Sequence, residues 1–130
     1  MKLSTGLEAI PIEFDNGEKT AIYINPADPQ LAVRIKAMLD NFSAMNERFG
    51  ATMMADIDAY NAVNQEIAEQ IDATFGAGTA SAVFQFVSPL AAVDNEPFVA
   101  AFLRGILGEI DKRTAKIKKR MDEHLAKYSK

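Results

Sequence analysis

The sequence of 130 residues contains no cysteine and a single histidine, His124. Without cysteine there is no disulfide and no thiolate metal ligand. With one histidine, most nucleophile–base dyads and triads lack their base. A carboxylate-only site stays open on composition, but no spacing marks one. Asp56 and Asp58 lie two residues apart in a predicted helix and point to different faces. No stretch approaches the roughly 20 consecutive apolar residues that span a bilayer. The opening MKLSTGLEAI lacks the apolar run of a secretory signal. These absences predict a cytoplasmic chain with no catalytic, cofactor-binding or metal-binding residues.

The residues that are present fit one globular domain, 1–130. Hydrophobic residues make up 48% and charged residues 25%, ordinary for a folded domain of this length. The net charge of −4 conceals an asymmetry. Residues 112–130 hold eight Lys/Arg against Asp122 and Glu123, a net +6, so residues 1–111 carry −10. An acidic body with a basic end suggests electrostatic pairing with nucleic acid, an acidic protein or another copy's acidic body. A solvated helix face is the simpler alternative.

The patterning predicts a mainly α fold: an N-terminal β-hairpin over 8–24, packed on a bundle of about four helices over 28–128. Ile10, Ile12 and Phe14 alternate with Pro11 and Glu13, the period of a half-buried strand. Asp15-Asn16-Gly17 supplies a turn, and Thr20, Ile22 and Ile24 resume the alternation. Pro11 has no N–H, which places its strand at an edge. Asp28 is a predicted N-cap with Pro29 at the first helical position. Leu31, Ile35, Met38, Phe42 and Met45 then form a helical stripe that Gly50 is placed to end. A second helix, capped by Thr52, puts Met53, Ile57, Tyr60, Ile67 and Ile71 on one face, interrupted by Asn64. A short helix is expected from Thr79 to Val87, then a connector opened by Ser88-Pro89 with one helical turn. The last helix is capped by Asp94 or Asn95, with Glu96 and Pro97 in its first turn. Its stripe runs through Val99, Leu103, Ile106, Ile110, Ile117, Met121, Leu125 and Tyr128, with Thr114 filling a gap. Such a helix spans roughly 50 Å, longer than a domain this size is wide, so its basic end, 112–130, is expected to project or to pack on a partner. Gly105 and Gly108 suggest a bend or a close helix crossing.

The stretch IDATFGAGTASAVF, residues 71–84, has the glycines of a phosphate-binding loop. A dinucleotide fingerprint requires a third glycine where Ser81 stands, and a strand before the loop. A P-loop requires a lysine, and none occurs between Lys36 and Lys112. The residues read instead as a helix–turn–helix joint, with Gly76 as C-cap, Thr79 as the next N-cap, and Phe75 and Phe84 anchoring its two sides in the core. The segment DKRTAKIKKRMDEHLAKYSK has cations for phosphate contacts but no interleaved aromatics. Its apolar stripe suits helix-in-groove binding, with ordinary core burial as the alternative. The candidate partner-binding residues are therefore Ile117, Met121, Leu125 and Tyr128, flanked by Lys116, Lys119 and Arg120.

The order of these elements resembles the small tail assembly chaperones of long-tailed bacteriophages and prophages, particularly those of Gram-positive hosts. The residues that carry the resemblance are the helix start NPADPQLAVRI after a hairpin, the joint IDATFGAGTASAVF with its Phe75-Gly76 and Val83-Phe84 pair, a proline-containing connector, and the ending KIKKRMDEHLAKYSK. The resemblance spans most of the chain from about Ile22. It implies a non-enzymatic, mostly helical protein that coats the tape-measure protein and keeps it soluble until tail-tube subunits polymerise around it, and that is absent from the finished virion. It also implies that a programmed frameshift produces a longer form. Methionines on helical faces (Met38, Met45, Met53, Met54 and Met121) suit a surface that adapts to varied apolar partners, though each one alone reads as core filler. Self-association is a further expectation. The alternatives are a nucleic-acid-binding adaptor that uses the basic terminal helix, and a structural connector or terminator subunit of the virion.

Overall fold

The computed structural model describes residues 1–128, and for 46–55 and 127–128 the backbone alone. The chain begins with the expected hairpin. Strands β1 (Glu8–Glu13) and β2 (Lys19–Ile24) pair antiparallel, with Ile10 opposite Ile22 and Ile12 opposite Thr20. The Phe14 N–H donates to Glu18 O at 2.9 Å and the Gly17 N–H to Phe14 O at 3.0 Å. This is a type I turn followed by a left-handed residue, and Gly17 supplies it at φ 89°. With Phe14 and Glu18 at a hydrogen-bonded position, the antiparallel alternation leaves Pro11 at a non-hydrogen-bonded one, where its missing N–H costs nothing.

Asn25 and Asp28 turn the chain into helix α1 (Pro29–Ala55). Asn25 Oδ1 accepts from the Ala27 N–H, and Asp28 Oδ1 accepts from the Gln30 N–H at 3.0 Å, so Asp28 caps the helix as its sequence position suggested. The helix does not stop at Gly50. The break comes six residues later at Asp56, whose side chain accepts from the Ala59 N–H and caps α2 (Ile57–Phe75). A glycine inside a helix costs only about 1 kcal/mol, whereas Asp56 offers both the extended backbone (φ −120°, ψ 96°) and the acceptor that a helix start needs. The side chains of Thr52, Met53 and Met54 lie outside the described residues. Ile57, expected on the buried face of α2, is 71% exposed, because it sits in the first turn of the helix, before the stripe meets the core.

Helix α3 (Thr79–Val83) is shorter than expected and is followed by a turn from Ser88 to Ala91, with Pro89 at its second position. Asp94 and Asn95 are not helix caps. Both have positive φ, 53° and 66°, and form the two-residue turn of a small hairpin, β3 (Ala92–Val93) with β4 (Glu96–Pro97). Asp and Asn tolerate that conformation, which a two-residue hairpin demands at both positions. The final helix α4 (Phe98–Tyr128) starts immediately afterwards. Its first N–H groups are satisfied by carbonyls of the connector: Phe98 N donates to Ala91 O and Val99 N to Pro89 O, each at 2.9 Å.

These elements enclose a single apolar cluster. It takes Ile10, Ile22 and Ile24 from the hairpin, Leu31, Ile35, Met38 and Phe42 from α1, and Ile67 and Ile71 from α2. Ala80, Val83 and Leu90 close one end, and Val99, Leu103, Ile106 and Ile110 line the α4 side. Among the described residues, no polar or charged residue is fully buried. Asn64, which breaks the α2 stripe, lies where the connector crosses: its Oδ1 accepts from the buried Leu90 N–H at 3.0 Å. One turn earlier, the Tyr60 hydroxyl meets the Ser88 hydroxyl at 2.9 Å.

Candidate interaction surface on the C-terminal helix

At about 1.5 Å per residue, the 31 residues of α4 extend roughly 46 Å. The body covers only the first part of this length. Val99, Leu103, Ile106 and Ile110 are buried against α1 and the rest of the core. At Thr114 the stripe turns polar, and its hydroxyl donates to Pro26 O at 3.2 Å, tying α4 to the body. Ile117 is half-buried. Met121 and Leu125, one and two turns further, are each 59% exposed. The apolar face therefore outruns the surface it packs on, and the basic end projects. Gly105 and Gly108 mark no crossing: a methyl group at either would meet nothing within 4 Å.

Cations surround this face. Lys112, Lys116, Lys118, Lys119 and Arg120 are exposed. Arg113 is partly buried between Glu8 and Glu109, with N–O separations of 3.5 and 3.8 Å. Its Nε reaches Glu109 only at the longer distance, too far for a hydrogen bond, so the pairing is electrostatic. Exposed pairs of this kind contribute roughly 0–1 kcal/mol each, and they anchor the helix weakly at the rim of the body. Lys116, Ile117 and Arg120 share a cleft of about 600 Å3 with Glu8, Glu109, Lys112 and Arg113. Arg120, Met121 and Leu125 border the next hollow along the helix, together with His124. Of the residues singled out from the sequence, Lys119 is exposed outside both hollows, and the Tyr128 side chain lies outside the described residues.

No family model, curated protein or solved structure matches this chain.

The glycine joint is capped by the protein's own groups. Gly76 (φ 113°) ends α2, donating its N–H to Asp72 O at 2.8 Å, and Gly78 (φ 90°) stands at the cap position of α3 in place of Thr79. The acceptor for α3 comes from the last turn of α2. Asp72 Oδ1 takes the Ala80 N–H at 2.8 Å, so a carboxylate already occupies the anion-favouring end of the short helix. Two further amides are used within the joint, Thr79 N to Gly76 O and Ala82 N to Gly78 O. Phe75 and Phe84 do anchor its two sides: Phe75 meets Phe102 edge-on at a centroid distance of 5.7 Å, and Phe84 meets Phe98 at 6.0 Å.

A second surface had no sequence signal. Beside the hairpin lies an apolar groove of about 350 Å3, lined by Ile12, Phe14, Phe86, Val93, Phe98 and Phe102 among others. Phe14 and Phe86 meet edge to face at 5.0 Å. Phe86 is nonetheless 48% exposed and Val93 38% exposed. Phe86 follows α3 and Val93 belongs to β3, and neither lies in a periodic stripe. Among the described residues, no group of three or more His, Asp or Glu side chains is placed to hold a metal, and no helix is long and apolar enough to cross a membrane.

Proposed function

We propose that this protein is a non-enzymatic assembly chaperone of the phage-tail type. It acts in the bacterial host cytoplasm, binds the tape-measure protein and keeps it soluble during tail morphogenesis. The observation that carries this reading is the exposed continuation of the α4 stripe. Ile117, Met121 and Leu125 recur every four residues on one face of a projecting helix, with Lys116, Lys119 and Arg120 around them. An apolar face flanked by cations suits a long amphipathic helix with acidic flanks, which a tape-measure protein can supply in many copies along its length. Methionine at the centre of the stripe lets one surface accommodate varied client side chains. Self-association, and release before or during addition of tail-tube subunits, complete the reading, and the chaperone is absent from the mature virion.

Co-expression with the tape-measure protein from the same tail gene cluster tests it. The expected result is a soluble complex that survives purification and is lost in the Met121→Glu/Leu125→Glu variant. A client that stays insoluble beside the wild-type chain refutes the chaperone reading. A salt-dependent shift of DNA or RNA without client capture would instead make the basic end a nucleic-acid surface. Recovery of the chain from purified particles would make it a virion component.

A further inference from the structure

The groove beside the hairpin has an apolar floor that includes Phe14, Phe86, Val93, Phe98 and Phe102, and the two charged residues lining it, Glu13 and Asp15, are both acidic. The far end of α4 is its chemical opposite, with the exposed apolar side chains of Met121 and Leu125 set among Lys116, Lys118, Lys119 and Arg120. We infer that the groove receives the basic end of α4 from a second copy of this chain, and that this head-to-tail contact covers the stripe until a client displaces it. The displacement step rests on the reading of the stripe as the client site.

Helix geometry removes the intramolecular alternative. Phe98 and Phe102 line the groove and belong to the same continuous helix as Met121. Phe102 and Met121 are 19 positions apart, roughly 28 Å of helix, so no chain can lay its own end in its own groove. Charge favours another copy as the occupant, since residues 1–111 carry −10 and residues 112–130 carry +6. The groove, at about 350 Å3, admits inserted side chains rather than a whole helix. Methionine fits its phenylalanine floor through thioether–aromatic contact. Donor and acceptor faces are different surfaces, so each bound copy still offers one of each. Association therefore propagates into a ring or filament instead of stopping at a symmetric pair. Because Met121 and Leu125 serve both contacts, client binding and self-assembly exclude one another, and each weakens the other by the same factor.

Two variants of the full chain separate the faces. Glu13→Lys/Asp15→Lys reverses the rim, and Met121→Glu/Leu125→Glu spoils the stripe; all four side chains are exposed, so the core is untouched. Light scattering after size exclusion at low salt should show the wild type assembling with concentration and each variant alone as a monomer. An equimolar mixture of the two variants should form a heterodimer, because one keeps an intact stripe and the other an intact groove. Raising the salt to about 1 M, where the Debye length shrinks to roughly 3 Å, should shift the wild type towards monomer. The rim variant should still capture the tape-measure protein, and the wild-type assembly should dissociate into the client complex. A monomeric wild type, or a mixture that stays monomeric, overturns the head-to-tail contact while leaving client capture standing. Restored assembly in the mixture without client capture by any form keeps the contact and removes the displacement step together with the chaperone reading.

Discussion

Replacing Asp72 with alanine removes the acceptor that the short helix α3 recruits from α2. Asp72 Oδ1 takes the Ala80 N–H at 2.8 Å, and Ala80 is buried, so water cannot easily replace the carboxylate. Losing a helix-capping acceptor costs about 0.5–2 kcal/mol, and leaving a buried donor unsatisfied costs about 1–3 kcal/mol. These ranges describe the same bond, so they overlap rather than add, and the expected loss is about 2 kcal/mol. For a domain of this size that corresponds to a fall in Tm of roughly 6–10 °C. Asp72→Asn keeps an oxygen in place and should lose less than half as much, about 0.5–1 kcal/mol, because only the charge assistance goes. Urea unfolding followed by circular dichroism measures both, and an unchanged m-value shows that the difference lies in stability. If Asp72→Ala falls within about 0.5 kcal/mol of wild type, the range of ordinary surface substitutions, or if Asn is as damaging as Ala, the joint is not held by this bond.

Two further substitutions probe other parts of the argument. Gly105→Ala and Gly108→Ala should each raise stability by about 0.5–1 kcal/mol, since both lie in the interior of α4 with open space where a methyl would go. A lower urea midpoint in either would mean that something presses on that face. Asn64→Ala leaves the buried Leu90 N–H without the acceptor it has at 3.0 Å and should cost about 1–3 kcal/mol, with faster hydrogen exchange at Leu90. Asn64→Asp retains the oxygen and should recover most of that loss.

Where sequence and structure agree, the determinants are local. The hairpin rests on a two-residue period and an Asp-Asn-Gly turn, the start of α1 on Asp28-Pro29, and the end of α2 on Gly76, each legible within a few residues. The stripes of α1 and α4 were legible as periodicity, and Ile35, Phe42, Val99 and Leu103 are buried where that periodicity puts them. The misplaced elements depend on partners distant in sequence. Asp72 caps a helix eight residues away, Asn64 holds a backbone amide 26 residues away, and two connector carbonyls cap α4 in place of Asp94 or Asn95. At Gly50 the local signal was real but weak, about 1 kcal/mol, and Asp56 offered a better stop. The candidate site was half legible. Periodicity assigned Ile117, Met121 and Leu125 to one face, but only the position of Thr114 against Pro26 shows where the body stops covering it. Phe86 and Val93 belong to no stripe, so the groove they line emerges only when the connector folds back beside the hairpin.

The projecting end of α4 owes its helicity to events far upstream. A peptide of the eleven residues from Lys118 to Tyr128 would fall short of the roughly 12–15 residues that an isolated helix needs in water, because the first turn is costly to form. Here that first turn is set at Phe98 and Val99 by the connector carbonyls, and every later residue needs only to propagate. The arm is therefore a phase-locked extension of the body. Deleting one residue between Thr114 and Ile117 would draw its tip in by about 1.5 Å, but would also swing Met121 and Leu125 around the axis by about 100°. Inserting seven would lengthen the arm by about 10 Å and return the stripe nearly to its original bearing. In this molecule the direction of the apolar face is more sensitive to chain length than the reach of the helix is.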